Sequence, residues 1–189
     1  MSHGIQEDVQ ENARAAFRSA FMNLYTQQPL REIKIAQICT RAGCGRSTFY
    51  RYYNDVGALL CECEDIALPT DEVSAVLENM EHADPERAGI QISRFFDSNA
   101  RECKVLCMRS DNNYTGRLYR LFYPMMRGFT QRALGDDSDA IEFTSDFMTK
   151  SKVMLVVNWA RSPHRMSLEE ANLLSVDAIE KRFWYQATG

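Results

Sequence analysis

The sequence predicts an all-α protein with a small N-terminal head and a larger C-terminal helical body. Apolar residues recur at three- and four-residue intervals through most of the 189 residues, which is the spacing of a helix. Gly and Pro separate these segments at the places where helices would end. A hydrophobic content of 45% supports a buried core, and the length fits one subunit of this kind.

Three helices are predicted in the head. Pro29 ends the first, whose core-facing stripe consists of Ile5, Val9, Ala13, Phe17, Phe21 and Leu24. The second ends at Gly43 and carries at helical spacing Ile35, Ile38, Cys39 and Ala42. The third begins near Arg46, so a Gly-containing turn joins two short helices. This is the pattern of a helix-turn-helix, whose second helix can enter the major groove of DNA.

The third helix has an inner and an outer face. Phe49 and Tyr53, four residues apart, share the side that faces the preceding helix. Arg46, Ser47 and Thr48 occupy the first turn, where a recognition helix meets base edges. An arginine there can pair with guanine through two hydrogen bonds, and the hydroxyls can bond several base edges or phosphates.

Two tyrosines project to the sides of this helix. Tyr50 and Tyr52 can set their hydroxyls against phosphates, contacts that fix register without reading sequence. From the residues alone, an ordinary helical hairpin with two surface tyrosines is the alternative, because short helix-turn-helix patterns also occur by chance.

The stretch from Ile35 to Leu60 resembles the N-terminal domain of the TetR family of bacterial transcriptional regulators. The residues that carry the resemblance are Ile38-Cys39-Thr40-Arg41-Ala42-Gly43, Arg46-Ser47-Thr48-Phe49-Tyr50-Arg51-Tyr52-Tyr53 and Leu59-Leu60. The resemblance implies a homodimer that binds double-stranded, pseudo-palindromic operator DNA, with a fourth helix that links the head to a ligand-binding body. It also implies a cytoplasmic repressor that a small apolar effector releases from DNA.

Three positions depart from the family's usual pattern. Lys34 stands where a Thr or Ser commonly caps the second helix; a lysine can reach a phosphate but caps poorly. Gly45 stands where a Ser or Asn usually caps the recognition helix, and Val56 replaces a lysine that often contacts the DNA backbone. Fewer phosphate anchors predict a weaker operator complex.

Charge divides the chain in the same way as the helical pattern. Residues 1–54 contain seven Lys or Arg and four Asp or Glu, although the whole chain has a net charge of −4. A cationic head on an anionic body directs the head toward a polyanion, with chance asymmetry as the alternative. We therefore predict a helix-turn-helix DNA-binding domain over 1–54 and a helical regulatory and dimerisation domain over 55–189.

The body is predicted to consist of helices throughout. Asn54-Asp55 can cap a fourth helix, and residues 69–85 have the composition of a segmented connection around a short helical pattern, Val73 to Met80. Further helical segments are Ile90–Phe96, Cys103–Met108, Tyr114–Leu134, Asp139–Arg161 and Ser167–Phe183. The body also resembles a C-terminal domain of one branch of the TetR family, through Arg94–Asn99 and Val157–Ala160.

Catalysis and cofactor binding are not predicted. The sequence has no Gly-rich phosphate loop, no His-Glu-x-x-His and no Ser nucleophile elbow, and its three histidines are scattered. It has no signal-peptide pattern and no apolar run long enough to span a membrane, so its six cysteines are expected to be reduced in a cytoplasm. No metal site is predicted. Thiol or metal sensing through Cys103 and Cys107, one helical turn apart, stays an alternative.

Two functions are open for the body. The first is a small-molecule pocket with soft, apolar walls that suit an organic effector. The candidate lining residues are Phe95, Phe96, Cys103, Cys107, Met108, Tyr119, Phe122, Tyr123, Met126, Phe147 and Met154. Each of them taken singly also fits ordinary core packing. The second function is an interaction module whose partner is a protein.

Dimerisation is predicted through the last two long helices, because they carry more apolar surface than one small body can hide. The candidate interface residues are Phe143, Phe147, Val153, Val157, Leu174 and Ile179. The alternative is that these residues face the core of their own subunit.

Overall fold

The described residues of the computed structural model are 2–68, 85–162 and 166–177, with side chains described from residue 10, from residue 90 and up to residue 174 in these ranges. In these ranges the chain forms α-helices without a strand, which confirms the all-α prediction. The helices are α1 (Ser2–Tyr25), α2 (Ile35–Ala42), α3 (Arg46–Tyr52), α4 (Val56–Ala67), α5 (Pro85–Ser98), α6 (Ala100–Met108), α7 (Tyr114–Leu134), α8 (Ser138–Arg161) and α9 (Leu168–Asp177), with a 3-10 turn at Leu30–Glu32.

The predicted body helices agree closely with these bounds. The segment Tyr114–Leu134 was predicted as observed, and α8 begins one residue before its predicted start. The short helical pattern at Val73–Met80 and the part of the last helix beyond residue 177 lie outside the described residues.

The chain divides into two compact units. The head consists of the chain up to Ala67 together with Arg109–Asn112, and the body contains the remaining residues. In this division α4 is part of the head, whereas the boundary predicted from the sequence precedes that helix.

Aromatic packing holds the head together. The Phe17 ring of α1 meets Phe49 at 5.3 Å and Tyr53 at 6.1 Å between centroids, in both cases edge to face. Both phenylalanines are fully buried. Edge-to-face pairs add about 0.5–1.5 kcal/mol to the burial of the rings. The predicted inner face of α3 is therefore the face that packs on α1.

An ion-pair cluster joins α4 to α1. Asp55 caps α4, since its Oδ1 accepts the amide N–H of Ala58 at 2.8 Å. Further along α4, Glu62 accepts hydrogen bonds from Arg18 Nη1 at 2.6 Å and from Arg14 Nε at 3.2 Å. Because only 14% of the Glu62 side chain is exposed, water screens these pairs less than it would on an open surface.

The segment Arg109–Asn112 is fixed by Asp111. Its carboxylate accepts the Tyr25 hydroxyl at 2.6 Å and the Leu30 amide N–H at 2.7 Å. Asn112 donates to the same tyrosine hydroxyl at 3.0 Å, and the Arg109 guanidinium lies 5.1 Å from the centre of the tyrosine ring. Tyr25 is the last residue of α1 and is fully buried. A short stretch that connects two body helices in the sequence is thus part of the head.

Within the body, α7 and α8 form an antiparallel pair joined by a tight turn at Gly135, whose φ of 71° lies in the region that favours glycine. Asp137 caps α8 by accepting the Ala140 amide N–H at 3.1 Å. Between the two helices, the buried hydroxyls of Thr130 and Ser145 hydrogen-bond each other at 2.5 Å. The interior of this pair therefore contains several polar groups, since Thr149 of α8 is also fully buried and donates to the Ser145 carbonyl at 2.7 Å.

The Arg94–Asn99 stretch orients the last helix of the body. Asp97 accepts the amide N–H of Leu168 at 2.8 Å, and so caps the N-terminus of α9 from another helix. Arg94 pairs with Glu169 in the first turn of α9 at 3.0 Å. Two residues quoted for the resemblance of the body therefore have a structural role.

Candidate nucleic-acid interface

The turn between α2 and α3 depends on Gly43. It lies at φ 66°, in the left-handed region, and the following amide of Cys44 returns to the Cys39 carbonyl at 3.1 Å. Gly45 has an extended backbone and is the N-cap residue that directly precedes α3. This geometry ends one helix and starts the next within three residues, which is the compact turn that a helix-turn-helix requires.

Packing against α1 decides which side of α3 stays exposed. Phe49 is fully buried and Tyr53 is 3% exposed, whereas Tyr50, on the opposite flank, is 57% exposed. Ser47 and Arg51, four residues apart, are both exposed. The exposed face of α3 is therefore polar and basic along its whole length.

The residues predicted to contact DNA lie at the surface of the head. Arg46 and Ser47 are exposed in the first turn of α3, and Lys34 is exposed at the start of α2. Thr48 and Tyr52 are partly exposed on the flanks of α3. The helix-turn-helix thus brings the six predicted side chains, Lys34, Arg46, Ser47, Thr48, Tyr50 and Tyr52, onto two consecutive helices.

Sequence reasoning left one basic residue of this face out. Arg51 is exposed and lies one helical turn after Ser47. The i, i+4 spacing from Ser47 was the signal that could have identified it, because Phe49 already fixed the inner side of the helix. Arg51 is therefore a second exposed cation of α3, in addition to Arg46.

Two predicted departures in capping are visible. Lys34 provides no side-chain cap; instead its amide N–H is accepted by Gln37 Oε1 at 2.8 Å, half of a capping box. Gly45 likewise provides no side-chain cap to α3. The ammonium of Lys34 therefore does not cap the start of α2 and lies at the surface.

The candidate pocket residues of the body fall into three groups. Those at most 3% exposed are Phe96, Cys103, Cys107, Phe122 and Met126. Those partly exposed are Phe95, Tyr119 and Tyr123. Those on the surface of the subunit are Met108, Phe147 and Met154, with 63, 62 and 49% exposure. Of these candidates, only members of the first two groups can therefore line a pocket inside one subunit.

The candidate dimer residues also divide. Phe143 and Leu174 are exposed, at 75% and 55%, whereas Val153 and Val157 are at most 8% exposed. Ile179 lies outside the described residues. Along α8, an exposed apolar row consists of Phe143, Phe147 and Met154, because four and then seven residues separate them. Phe143 and Phe147, both predicted for the dimer interface, thus share one surface with Met154, which was predicted for the pocket.

The two thiols considered for sensing lie deep in the body. The Cys103 and Cys107 Sγ atoms are 3.9 Å apart and both residues are fully buried. Hydrogen bonding between them lowers the pKa of Cys103 and raises that of Cys107, with burial raising both. Across the described ranges, no three His, Cys, Asp or Glu side chains are placed to hold a metal ion. Buried thiols of this kind are usually packing residues.

Comparisons with known proteins agree with this geometry. Residues 32–56 match the family model "Helix-turn-helix domain of resolvase", a range that contains α2, α3 and the turn between them. A search of curated proteins found no match to the sequence. No helix in the described parts of the chain is long and apolar enough to cross a membrane.

Several solved structures resemble the whole chain. A TetR transcriptional regulator from Streptococcus agalactiae 2603V is 19% identical, with a TM-score of 0.66 over 94% of this chain and 98% of that one. The dihydroxyacetone kinase operon activator DhaS is 15% identical, with a TM-score of 0.57 over 88% and 93%. A gamma-butyrolactone receptor described as ArpA-like is 11% identical, with a TM-score of 0.53 over 90% and 96%.

Together, these observations define an all-α protein with a helix-turn-helix head and a helical body. The arrangement is the fold of TetR transcriptional regulators, over nearly the full length of both chains. The resemblance read from the helix-turn-helix is therefore confirmed at the level of the fold.

Proposed function

We propose that this protein is a homodimeric, DNA-binding transcriptional regulator that represses genes near its own and leaves its operator when a small apolar effector binds the body. The observation that carries the proposal is the exposed polar face of α3, held outward by the burial of Phe49. The TetR fold supports the same function. The cationic head favours DNA over the acidic body as a partner.

The residues of the head divide between two kinds of DNA contact. Arg46, at the start of α3, is placed to read a base edge, since recognition helices use their N-terminal residues in this way. Lys34, Tyr50 and Arg51 are exposed on the same helix-turn-helix and would bind phosphates, which fix position without reading sequence.

The test compares Arg46→Ala with Arg31→Ala. Arg31 is a matched control because its side chain is 85% exposed on the 3-10 turn, outside α2 and α3. We expect Arg46→Ala to weaken binding to the best operator by about 1–3 kcal/mol and to relax preference at one position of each half-site. Arg31→Ala leaves sequence preference unchanged. Equal losses on operator and random DNA for Arg46→Ala contradict base reading by this residue.

We propose that dimers form through the exposed apolar row of α8. Phe143, Phe147 and Met154 offer exposed apolar surface on one face of α8, with the polar Ser151 between the last two, and exposed apolar patches mark association sites. A symmetric contact between two copies would bury the row against itself, as in many helical dimers. Val153 and Val157, which pack inside the subunit, support the helix instead of forming the contact.

Light scattering of Phe147→Glu against Met108→Glu tests the dimer. Both positions are about equally exposed, but Met108 ends α6 and lies off the row. We expect Phe147→Glu to give monomers at micromolar concentration, since the charge would be buried in the contact. Met108→Glu remains dimeric. A wild-type protein that is monomeric yet binds a full palindromic site tightly would overturn this part of the proposal.

The segment Arg109–Asn112 provides the coupling between effector and operator. It begins directly after α6 and ends one residue before α7, yet Asp111 is hydrogen-bonded to Tyr25 and Leu30 of the head. A ligand that shifts α6 or α7 therefore acts on the head through the covalent chain. The coupling free energy equals the difference in ligand affinity between the DNA-binding and released states.

A further inference from the structure

Lys152 of α8 is a largely buried cation with an unusual set of partners. Its Nζ donates to the Asn172 side-chain oxygen of α9 at 2.8 Å, and Asn172 itself is only 6% exposed. Burial lowers the pKa of Lys152. In the parts of the chain whose side chains are described, no carboxylate lies within ion-pair distance of this ammonium.

Two carboxylates in the first turn of α9 are engaged elsewhere. Glu169 pairs with Arg94, and Glu170 accepts the Ser167 amide N–H at 2.8 Å. Lys150, two residues before Lys152, is exposed and pairs with Asp146 at 2.6 Å. The contrast between the two lysines shows that α8 provides a carboxylate for the exposed cation and none for the buried one.

This arrangement costs free energy unless something else occupies the site. An amide oxygen satisfies one of the three donors of an ammonium group, and desolvation of the charge is only partly offset by a neutral partner. Desolvated cations without an anionic partner are characteristic of binding sites, where the ligand provides the missing charge.

A groove of about 210 Å³ lies on the same side of α8. It is lined by Leu155, Asn158, Trp159, Ser162, Met166 and Ala171. Lys152, Leu155 and Trp159 are spaced i, i+3 and i+7, so they share one face of the helix. On α9, the groove residue Ala171 directly precedes Asn172, the partner of the lysine.

The walls of this groove are suited to a hydrocarbon. The indole N–H of Trp159 donates to the Met166 carbonyl at 3.0 Å, and the Lys104 ammonium lies 4.9 Å from the centre of the indole ring, so a second cation is close to the groove. Leu155, Met166 and Ala171 add aliphatic and thioether surface, and methionine adapts to varied shapes.

We propose that Lys152 and this groove form a binding site for an organic acid with an apolar tail. The carboxylate of the ligand pairs with the Lys152 ammonium beside Asn172, and the tail lies along Trp159 and Leu155. The binding site itself does not depend on the proposed regulatory function. Only one consequence rests on that function, namely that the effector is an apolar carboxylic acid.

Octanoate and octanamide are the probes that test the site, because they share a tail and differ in charge at neutral pH. Trp159 reports binding by fluorescence in a Trp184→Phe background, since the chain contains two tryptophans. We expect octanoate to bind saturably and to raise the melting temperature, with octanamide at least tenfold weaker. Equal binding of both probes, or binding of neither, overturns the proposal.

The variants Lys152→Met and Lys150→Met separate recognition from general charge effects. We expect Lys152→Met to bind octanoate no better than octanamide, whereas Lys150→Met retains the wild-type preference. If Lys152→Met fails to fold, Lys152→Gln is used, since it keeps a polar end group for Asn172 and lacks the charge. Retention of the octanoate preference in the folded Lys152 variant overturns the proposal.

Binding of operator DNA is measured separately on the wild-type protein. If octanoate binds with the expected preference and the protein does not bind operator DNA at all, the site stands and the proposed regulator fails. If operator DNA is bound and octanoate shows no preference over octanamide, the regulator stands and this site fails.

Discussion

The head and the body differ in how the charged side chains at their helix contacts are partnered. In the head, Glu62 lies between Arg14 and Arg18, and Asp111 between Tyr25 and the Leu30 amide, so each carboxylate has complementary donors. In the body, the Lys152 ammonium has a neutral partner, Asn172. These head carboxylates are therefore matched by donors, whereas the Lys152 ammonium of the body is the charge that the proposed ligand would match.

This difference fits the tasks proposed for the two units. A reading helix must keep its outer face in one orientation, and matched ion pairs with aromatic packing hold it there. An effector site gains free energy when a ligand enters, and a cation with only a neutral partner can supply part of that gain. The following predictions test the contrast, in order of decreasing expected effect.

Truncation of the central ring of the head has the largest expected effect. Phe49→Ala removes a fully buried ring that packs on Phe17 and Tyr53, and should cost about 3–5 kcal/mol of stability. Tyr50→Ala is the control, because that ring is 57% exposed. Hydrogen exchange should show fast exchange throughout α1 to α3 in Phe49→Ala and unchanged protection in α7 and α8. Uniform loss of protection in both units would contradict their independence.

Loss of the Asp111 contacts is expected to have the next largest effect on stability. Asp111→Ala removes a carboxylate that accepts the Tyr25 hydroxyl and the Leu30 N–H, at a cost of about 2 kcal/mol, because charge-assisted hydrogen bonds are lost. Denaturant unfolding of Asp111→Ala, Tyr25→Phe and the double variant measures the coupling. Strictly additive effects would show that the two side chains do not stabilise each other.

The matched carboxylates also predict a pH dependence. Burial alone would raise the pKa of Glu62, but hydrogen bonds from Arg14 and Arg18 outweigh it and lower the value. For Asp111, burial is likewise outweighed by hydrogen bonds from Tyr25 and Leu30. With folded values below the unfolded ones of about 4, both groups stabilise the head fully above about pH 5, and this stabilisation is lost as the pH falls further.

Urea unfolding between pH 7 and pH 3 tests this smallest effect. Glu62→Gln should be less stable at pH 7, by on the order of 1 kcal/mol, and should depend less on pH in the acidic range than the wild type. Lys150→Met, which unpairs the exposed Asp146, is the control from the body. An unchanged acid profile in Glu62→Gln would show that its ion pairs contribute nothing measurable.

Much of this architecture could be predicted from the sequence. The helices follow from the helical spacing of apolar residues, and the turn at Gly43 follows from the left-handed backbone that glycine can adopt. For this reason α2, α3, α7 and α8 were predicted within a few residues. The capping aspartate of α4 was also predictable, because capping depends on neighbouring residues.

The contacts that join distant parts of the chain could not be predicted in this way. Asp111 lies 86 residues from Tyr25, and no spacing rule connects them. Likewise, helical period cannot tell which apolar residues face inward: Phe147 and Met154 fitted a pocket wall from sequence, yet lie on the surface of the subunit. A buried lysine such as Lys152 has no local signal, because its environment is formed by α9.

Selection of binding sites from a random double-stranded DNA library tests the central claim most directly. The account predicts enrichment of a pseudo-palindrome whose half-sites are about one helical turn apart, centre to centre, as expected for two heads in successive major grooves. Arg46→Ala should enrich a site with one degenerate position in each half, whereas Arg31→Ala should enrich the wild-type sequence. Absence of any enriched sequence with the folded wild-type protein would contradict the assignment of α3 as a DNA-reading helix.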